Sequence, residues 1–181
     1  MPADTVSSPI ESALVVLIPE AEFLVKRFRE QYDPAEALGV PAHITVLYPF
    51  QPPPMTTEAK QILATLFAGL PCFTTTFAET RRFPEVLYLA PSPDAPLRAL
   101  IDAIVARFPD TPPYGGQFAE VIPHLTIAQV SDPQKLQTIN DDFQRAAQGH
   151  LPFTAHVAEV ALMDNARGRW EVREKFGLGG R

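Results

Sequence analysis

Two short runs in this sequence place a histidine and a threonine two residues apart among apolar neighbours. They are P-A-H-I-T-V-L-Y-P-F, with His43 and Thr45, and V-I-P-H-L-T-I-A, with His124 and Thr126. Side chains alternate across a strand, so each His–Thr pair shares one face while Ile44, Val46, Leu125 and Ile127 point the other way. An imidazole titrates near neutral pH and can serve as base or acid. One histidine can take a proton from an attacking water or hydroxyl while the other gives one to the departing oxygen. Two threonine hydroxyls can donate to the non-bridging oxygens of a phosphate. Together the four side chains suit phosphodiester chemistry that requires no metal. Metal binding by His43 and His124 is the weaker alternative, because two ligands are too few and no carboxylate lies two or four positions on in either strand.

A lone H-x-T is weak evidence, since strands carry structural histidines. The weight comes from repetition within a repeated order of elements. Residues 13–18, A-L-V-V-L-I, read as a buried strand closed by Pro19. A helix comes next with Phe23, Leu24, Arg27 and Phe28 at helical spacing, and then the first motif strand. T-T-E-A-K-Q-I-L-A-T-L-F-A-G-L predicts a helix with a threonine cap, Ile62, Leu63 and Leu66 on one face, and a stop at Gly69. C-F-T-T-T-F-A-E-T-R-R-F reads as a strand. The second half repeats the sequence of events: strand V-L-Y-L-A, a helix with Asp94 as cap candidate, the second motif strand, a helix from about Asp132 to Gln148, and strand F-T-A-H-V-A-E-V-A-L-M. A last strand is expected to pair back as a hairpin around N-A-R-G. The expected fold is α+β, one two-lobed domain with pseudo-twofold symmetry, an antiparallel sheet in each lobe, outer helices and a central cleft. The lobes are taken as the two consecutive halves, about 12–82 and 83–178.

The chain has 181 residues, 46% of them hydrophobic and 20% charged, which suits one domain with a sizeable core. Its formal net charge of −6 argues against a general basic surface for long nucleic acid. A small nucleotide or an RNA terminus in a local cationic pocket remains compatible. Twenty prolines cluster at junctions and read as loop punctuation. Cys72 is the only cysteine, so no intrachain disulfide forms, and it reads as a small buried hydrophobe. The N-terminus lacks a basic region and the apolar run after it is too short for a signal peptide or membrane span. A cytoplasmic monomer without membrane attachment is the expectation.

On P-A-H-I-T-V-L-Y-P-F, F-A-E-V-I-P-H-L-T-I-A, R-R-F-P-E-V-L-Y-L-A-P and P-P-Y-G-G-Q-F, the sequence resembles the two-histidine (2H) phosphoesterase superfamily, in its 2′-5′ RNA ligase-like branch, from about residue 12 to 178. The resemblance implies metal-independent cleavage or transfer at 2′,3′-cyclic, 1″,2″-cyclic or 2′-5′ phosphodiesters, without a cofactor. It implies His43 and His124 as the acid–base pair and Thr45 and Thr126 as phosphate ligands. His124 is assigned to activating the nucleophile and His43 to protonating the leaving oxygen, an assignment that depends on how the substrate lies. With no lysine-centred ligase motif, hydrolysis is favoured over ligation. The alternative is a module that binds a nucleotide or RNA end in the same cleft without turnover.

Further residues have lesser claims. By strict alternation Tyr48 falls opposite His43, where it packs in the core or stacks on a base. Tyr114, in a Gly/Pro loop, either packs or stacks on a base. Of Arg81 and Arg82 one faces each way, and Arg82 is the substrate-binding candidate. Arg167, Arg169 and Arg173 with Trp170 make the last hairpin locally basic. His150 and His156 lack a matching threonine and are not assigned.

Overall fold

A computed structural model of the chain describes residues 9–179. The segment read for targeting signals, residues 1–8, lies outside the described residues. Eight strands and five helices are present among those described. The strands are β1 (Ser12–Leu17), β2 (His43–Leu47), β3 (Phe73–Arg82), β4 (Val86–Ser92), β5 (Leu125–Gln129), β6 (Phe153–Val157), β7 (Glu159–Asp164) and β8 (Glu171–Gly177). The helices are α1 (Glu22–Tyr32), α2 (Pro34–Ala37), α3 (Thr57–Ala68), α4 (Ala95–Arg107) and α5 (Pro133–Ala147).

The strands form two antiparallel four-stranded sheets, ordered β2-β1-β7-β8 and β5-β4-β3-β6. Each motif strand is an edge strand, and β2 and β5 pack against each other where the sheets meet. The fold is α+β with two lobes, as expected, but the lobes are not consecutive halves. The second sheet is a continuous piece, residues 73–157, inserted between β2 and β7 of the first. The boundary expected near 82/83 cuts instead through the β3–β4 hairpin, where three residues join strands paired from Thr76↔Ser92 to Arg82↔Leu87. Likewise F-T-A-H-V-A-E-V-A-L-M is two strands. Ala158 carries the chain from β6 in one sheet to β7 in the other.

One continuous core joins the lobes, with Leu14, Val16, Ile44, Val46 and Leu162 from the first sheet and Phe77, Leu87, Leu89 and Leu125 from the second. The helices close it: α1 lies against β5, α4 against β2 and α3 against β8. The face α1 buries is Leu24, Val25 and Phe28, while Phe23 is exposed and meets His150 edge-on. Thr56 caps α3 by accepting from the Ala59 amide at 3.1 Å, as its sequence implies. Asp94 does not cap α4; its carboxylate accepts from Arg98 Nε at 2.7 Å. The opposite face of the first sheet carries a smaller apolar cluster, Ala13, Val15, Val40, Ala161 and Met163, with Tyr48 and Trp170 packed against it. β1 is thus covered on both sides, which explains its unbroken apolar run.

Candidate active site

β2 and β5 hold their motifs in the same way. Val15 pairs with Thr45 and Leu14 with Leu47, so Val46 is an extra residue in a bulge. In the second sheet Tyr88 pairs with Thr126 and Leu87 with Ala128, which makes Ile127 the matching extra residue. The bulge lets two successive residues face the core: Val46 and Leu47 in one lobe, Ile127 and Ala128 in the other, each at most 1% exposed. The motif side chains are left on the far face.

That irregularity corrects the reading of Tyr48. Strict alternation would put it opposite His43, but the extra residue resets the phase and Tyr48 lines the same hollow as His43 and Thr45. Its hydroxyl donates to Glu11 Oε2 at 2.7 Å, and burial together with that bond pushes its pKa up to about 12. Its ring meets Trp170 and Tyr114 edge-on, with centroids 6.1 and 6.3 Å away. Tyr114 sits in a 3-10 turn at φ 51°, and its amide donates to the Tyr48 carbonyl at 2.5 Å. Burial raises the Tyr114 phenol, with Thr45 beside it acting the other way. Tyr114 therefore belongs to the His43 side of the cleft.

The two arginines divide between the faces. Arg82 pairs across from core-facing Leu87, and its guanidinium donates to Gln137 on α5, on the helix side of the sheet. Arg81 instead stands in a row with Tyr88 and Thr126, on the face of the second motif. The substrate-binding candidate Arg82 is thus directed away from the motif, and Arg81 lies on the motif face. Arg81 also pairs with Glu79 at 2.6 Å. In the last hairpin, Arg173 is paired with Asp164 and Glu171, both at 2.7 Å, so that edge is largely neutralised.

Both histidines are fixed by one device. His43 Nδ1 donates to the Pro41 carbonyl and His124 Nδ1 to the Ile122 carbonyl, each at 2.7 Å and two residues back. A carbonyl can only accept, so Nδ1 carries the hydrogen and Nε2 is the free base. Burial lowers the pKa of both. For His43 it falls to about 4; besides desolvation, the nearby Arg29 and His124 charges act downward, while the Pro41 bond and Asp33 act upward. For His124 desolvation again dominates, partly offset by the Ile122 bond.

Behind His43 lies a buried ion cluster that sequence reasoning missed. Arg29 of α1, 1% exposed, donates to Asp33 at 2.9 Å and to the Val40 carbonyl at 2.8 Å, and forms an ion pair with Glu36 at 3.1 Å. Glu22, at the start of α1, accepts from the Ala42 amide at 2.6 Å. Both ends of α1 therefore grip the residues leading into the first motif. The only signal in the sequence was an arginine on an otherwise apolar helix face.

The symmetry between lobes is broken on the cleft floor. The positions of Tyr88 and Arg81 in the second sheet are held by Val15 and Ala161 in the first. Small side chains leave a hollow of about 270 Å³ beside His43 and Thr45, walled by Leu38, Val40, Tyr48, Met163 and Trp170. In the other lobe Phe83 and Tyr88 cover His124, with centroids at 5.1 and 5.4 Å. A larger hollow of about 440 Å³ between α1 and α5 touches neither motif. No group of histidine, cysteine and carboxylate side chains among the described residues could hold a metal ion. No helix among them is long and apolar enough to cross a membrane.

Paired H-x-T strands meeting at the junction of two similar sheets define a two-histidine phosphoesterase fold. A family model for the 2′-5′ RNA ligase superfamily matches residues 18–169, and the chain belongs to that superfamily. Among solved structures, E. coli LigT complexed with 3′-AMP is similar at a TM-score of 0.61 and 18% identity, covering 94% of this chain and 99% of that one. E. coli LigT complexed with NADP+ gives 0.56 and 20% identity over 95% and 99% of the chains. TT0787 of Thermus thermophilus gives 0.59 and 20% over 94% and 99%. Comparison with curated protein sequences finds no match.

Proposed function

We propose that this protein is a metal-independent phosphodiesterase that hydrolyses cyclic phosphates or 2′-5′ linked nucleotide or RNA esters. The observation that carries the reading is the matched pair of imidazoles, each with Nδ1 tied to a carbonyl and Nε2 free, on two strands that pack together. That E. coli LigT has been solved with 3′-AMP and with NADP+ supports a small nucleotide substrate.

A phosphate between β2 and β5 accepts hydrogen bonds from Thr45 and Thr126. One Nε2 takes a proton from water as its oxygen attacks phosphorus; the other imidazole, protonated, gives its proton to the leaving oxygen as the P–O bond breaks. His43, lowered by burial to about 4 in the free protein, is neutral at pH 7 and able to take a proton, and we assign it as the base. His124 is the acid, charged once the phosphate anion is present to favour the imidazolium. This reverses the roles expected from the sequence. The apolar hollow beside His43 receives the organic group of the substrate, such as a nucleobase between Trp170, Tyr48 and Met163.

The test is turnover of nucleoside 2′,3′-cyclic phosphates and 2′-5′ dinucleotides with chelator present. His43→Ala and His124→Ala should each lower kcat by on the order of 10²–10⁴. Unchanged activity in both variants overturns the proposal, and nucleotide binding without turnover identifies a binding module instead.

A further inference from the structure

The two histidines bond to peptide carbonyls that differ in one atom. His43 Nδ1 donates to the Pro41 carbonyl, and the amide of that same peptide unit, Ala42 N–H, donates to Glu22 Oε1 at 2.6 Å. His124 Nδ1 donates to the Ile122 carbonyl, whose peptide partner is the nitrogen of Pro123 and carries no hydrogen. A carboxylate can therefore act through the first peptide and cannot act through the second.

We propose that Glu22 is a positioning residue for His43, working through the Pro41–Ala42 peptide as a carboxylate–peptide–imidazole chain. Hydrogen bonds in series polarise one another. An anion on the amide draws the peptide dipole toward it and makes the carbonyl oxygen a stronger acceptor. The stronger acceptor fixes the Nδ1–H tautomer and stabilises the imidazolium that forms when His43 takes a proton. This role rests on the proposed function, in which His43 is the base. His124 has no such chain, because the peptide it is bonded to ends in the nitrogen of Pro123.

The peptide is locked from its other neighbours as well. The Ala42 carbonyl accepts from Ile18 N–H at 2.9 Å, and Arg29 holds the Val40 carbonyl at 2.8 Å. The charged groups around His43 are Glu22 and Arg29 from α1, Asp33 at its end, and His124 from the facing lobe. Of these, Glu22 alone reaches the peptide that His43 is bonded to.

Glu22→Gln keeps an oxygen for the Ala42 amide and removes only the charge. With ¹⁵N-labelled histidine, the Nδ1–H resonance of His43 should move upfield, while that of His124 stays as an internal reference. The proton affinity of His43 should fall about threefold, half a pKa unit. In steady-state assays kcat should fall by a similar factor with KM unchanged, and the acid limb of the kcat profile should shift to lower pH. An unmoved His43 resonance, or equal movement of both histidines, overturns the proposal. If the wild type turns over no phosphodiester, the functional reading fails, yet the resonance of His43 still decides whether the relay exists.

Discussion

Replacing Arg29 with methionine tests how α1 holds the first half-site. The guanidinium is 1% exposed; it donates to the Asp33 carboxylate and the Val40 carbonyl and lies 3.1 Å from the Glu36 carboxylate as an ion pair. Methionine fills much of the volume and supplies no donor. Asp33, whose side chain is 4% exposed, then keeps its bond from the Ala35 amide at 3.0 Å but loses its ion partner. Removing one member of a buried pair costs about 3–5 kcal/mol, chiefly the desolvation of the charge left behind. For a domain of this size each kcal/mol lowers Tm by about 2–4 °C, so the expected loss is about 6–20 °C. Thermal unfolding followed by circular dichroism reads it directly. Adding Asp33→Leu to Arg29→Met should restore a large part of the loss, because an apolar pair leaves less buried charge. If Arg29→Met lowers Tm by less than about 2 °C, the cluster is solvated and the argument from burial fails. The same substitution removes a positive charge near His43, so the pKa of His43 should rise from about 4.

Three further outcomes are expected of the site. Because the unfolded histidine takes a proton near ~6.5 and native His43 only near 4, the folded state loses stability as pH falls between those values. The loss is about 3 kcal/mol, levels off below pH 4, and should vanish from urea-melt profiles of His43→Asn, as proton linkage requires. Gly39→Ala should destabilise by about 1–3 kcal/mol, since φ is +98° and an added Cβ meets the Trp170 carbonyl at 3.0 Å; an unchanged Tm would mean that the 38–40 turn relaxes freely. Trp170→Ala should raise KM for nucleotide substrates with little change in kcat for a small phosphodiester such as bis(p-nitrophenyl) phosphate, whereas equal loss on both would remove the hollow from substrate binding.

The facing of the motif residues was legible because it is local. Alternation alone placed His43 with Thr45 and His124 with Thr126 on common faces. The facing of Tyr48, just past the first motif, was not legible, because the bulge that resets it depends on pairing with β1. The choice between Arg81 and Arg82 depends in the same way on the β3–β4 register. The lobe boundary was misplaced because strand pairing is non-local, and F-T-A-H-V-A-E-V-A-L-M contains no breaker at the alanine where the chain changes sheets. Glu22 and Arg29 looked like ordinary helix charges. Their meaning comes from the carbonyl and amide that the fold brings to them.

The insertion of one sheet within the other also sets an order for synthesis. Residues 73–157 contain all four strands of the sheet that carries His124. The sheet that carries His43 then consists of β1 and β2 alone, and an isolated pair of strands is marginal in water. Its central strand β1 finds its second partner only when β7 arrives at Glu159–Asp164. A nascent chain stalled before that point has all four strands of the second sheet but only two of the first. Premature termination in the last segment therefore leaves the first motif, though made first, on an unfinished sheet.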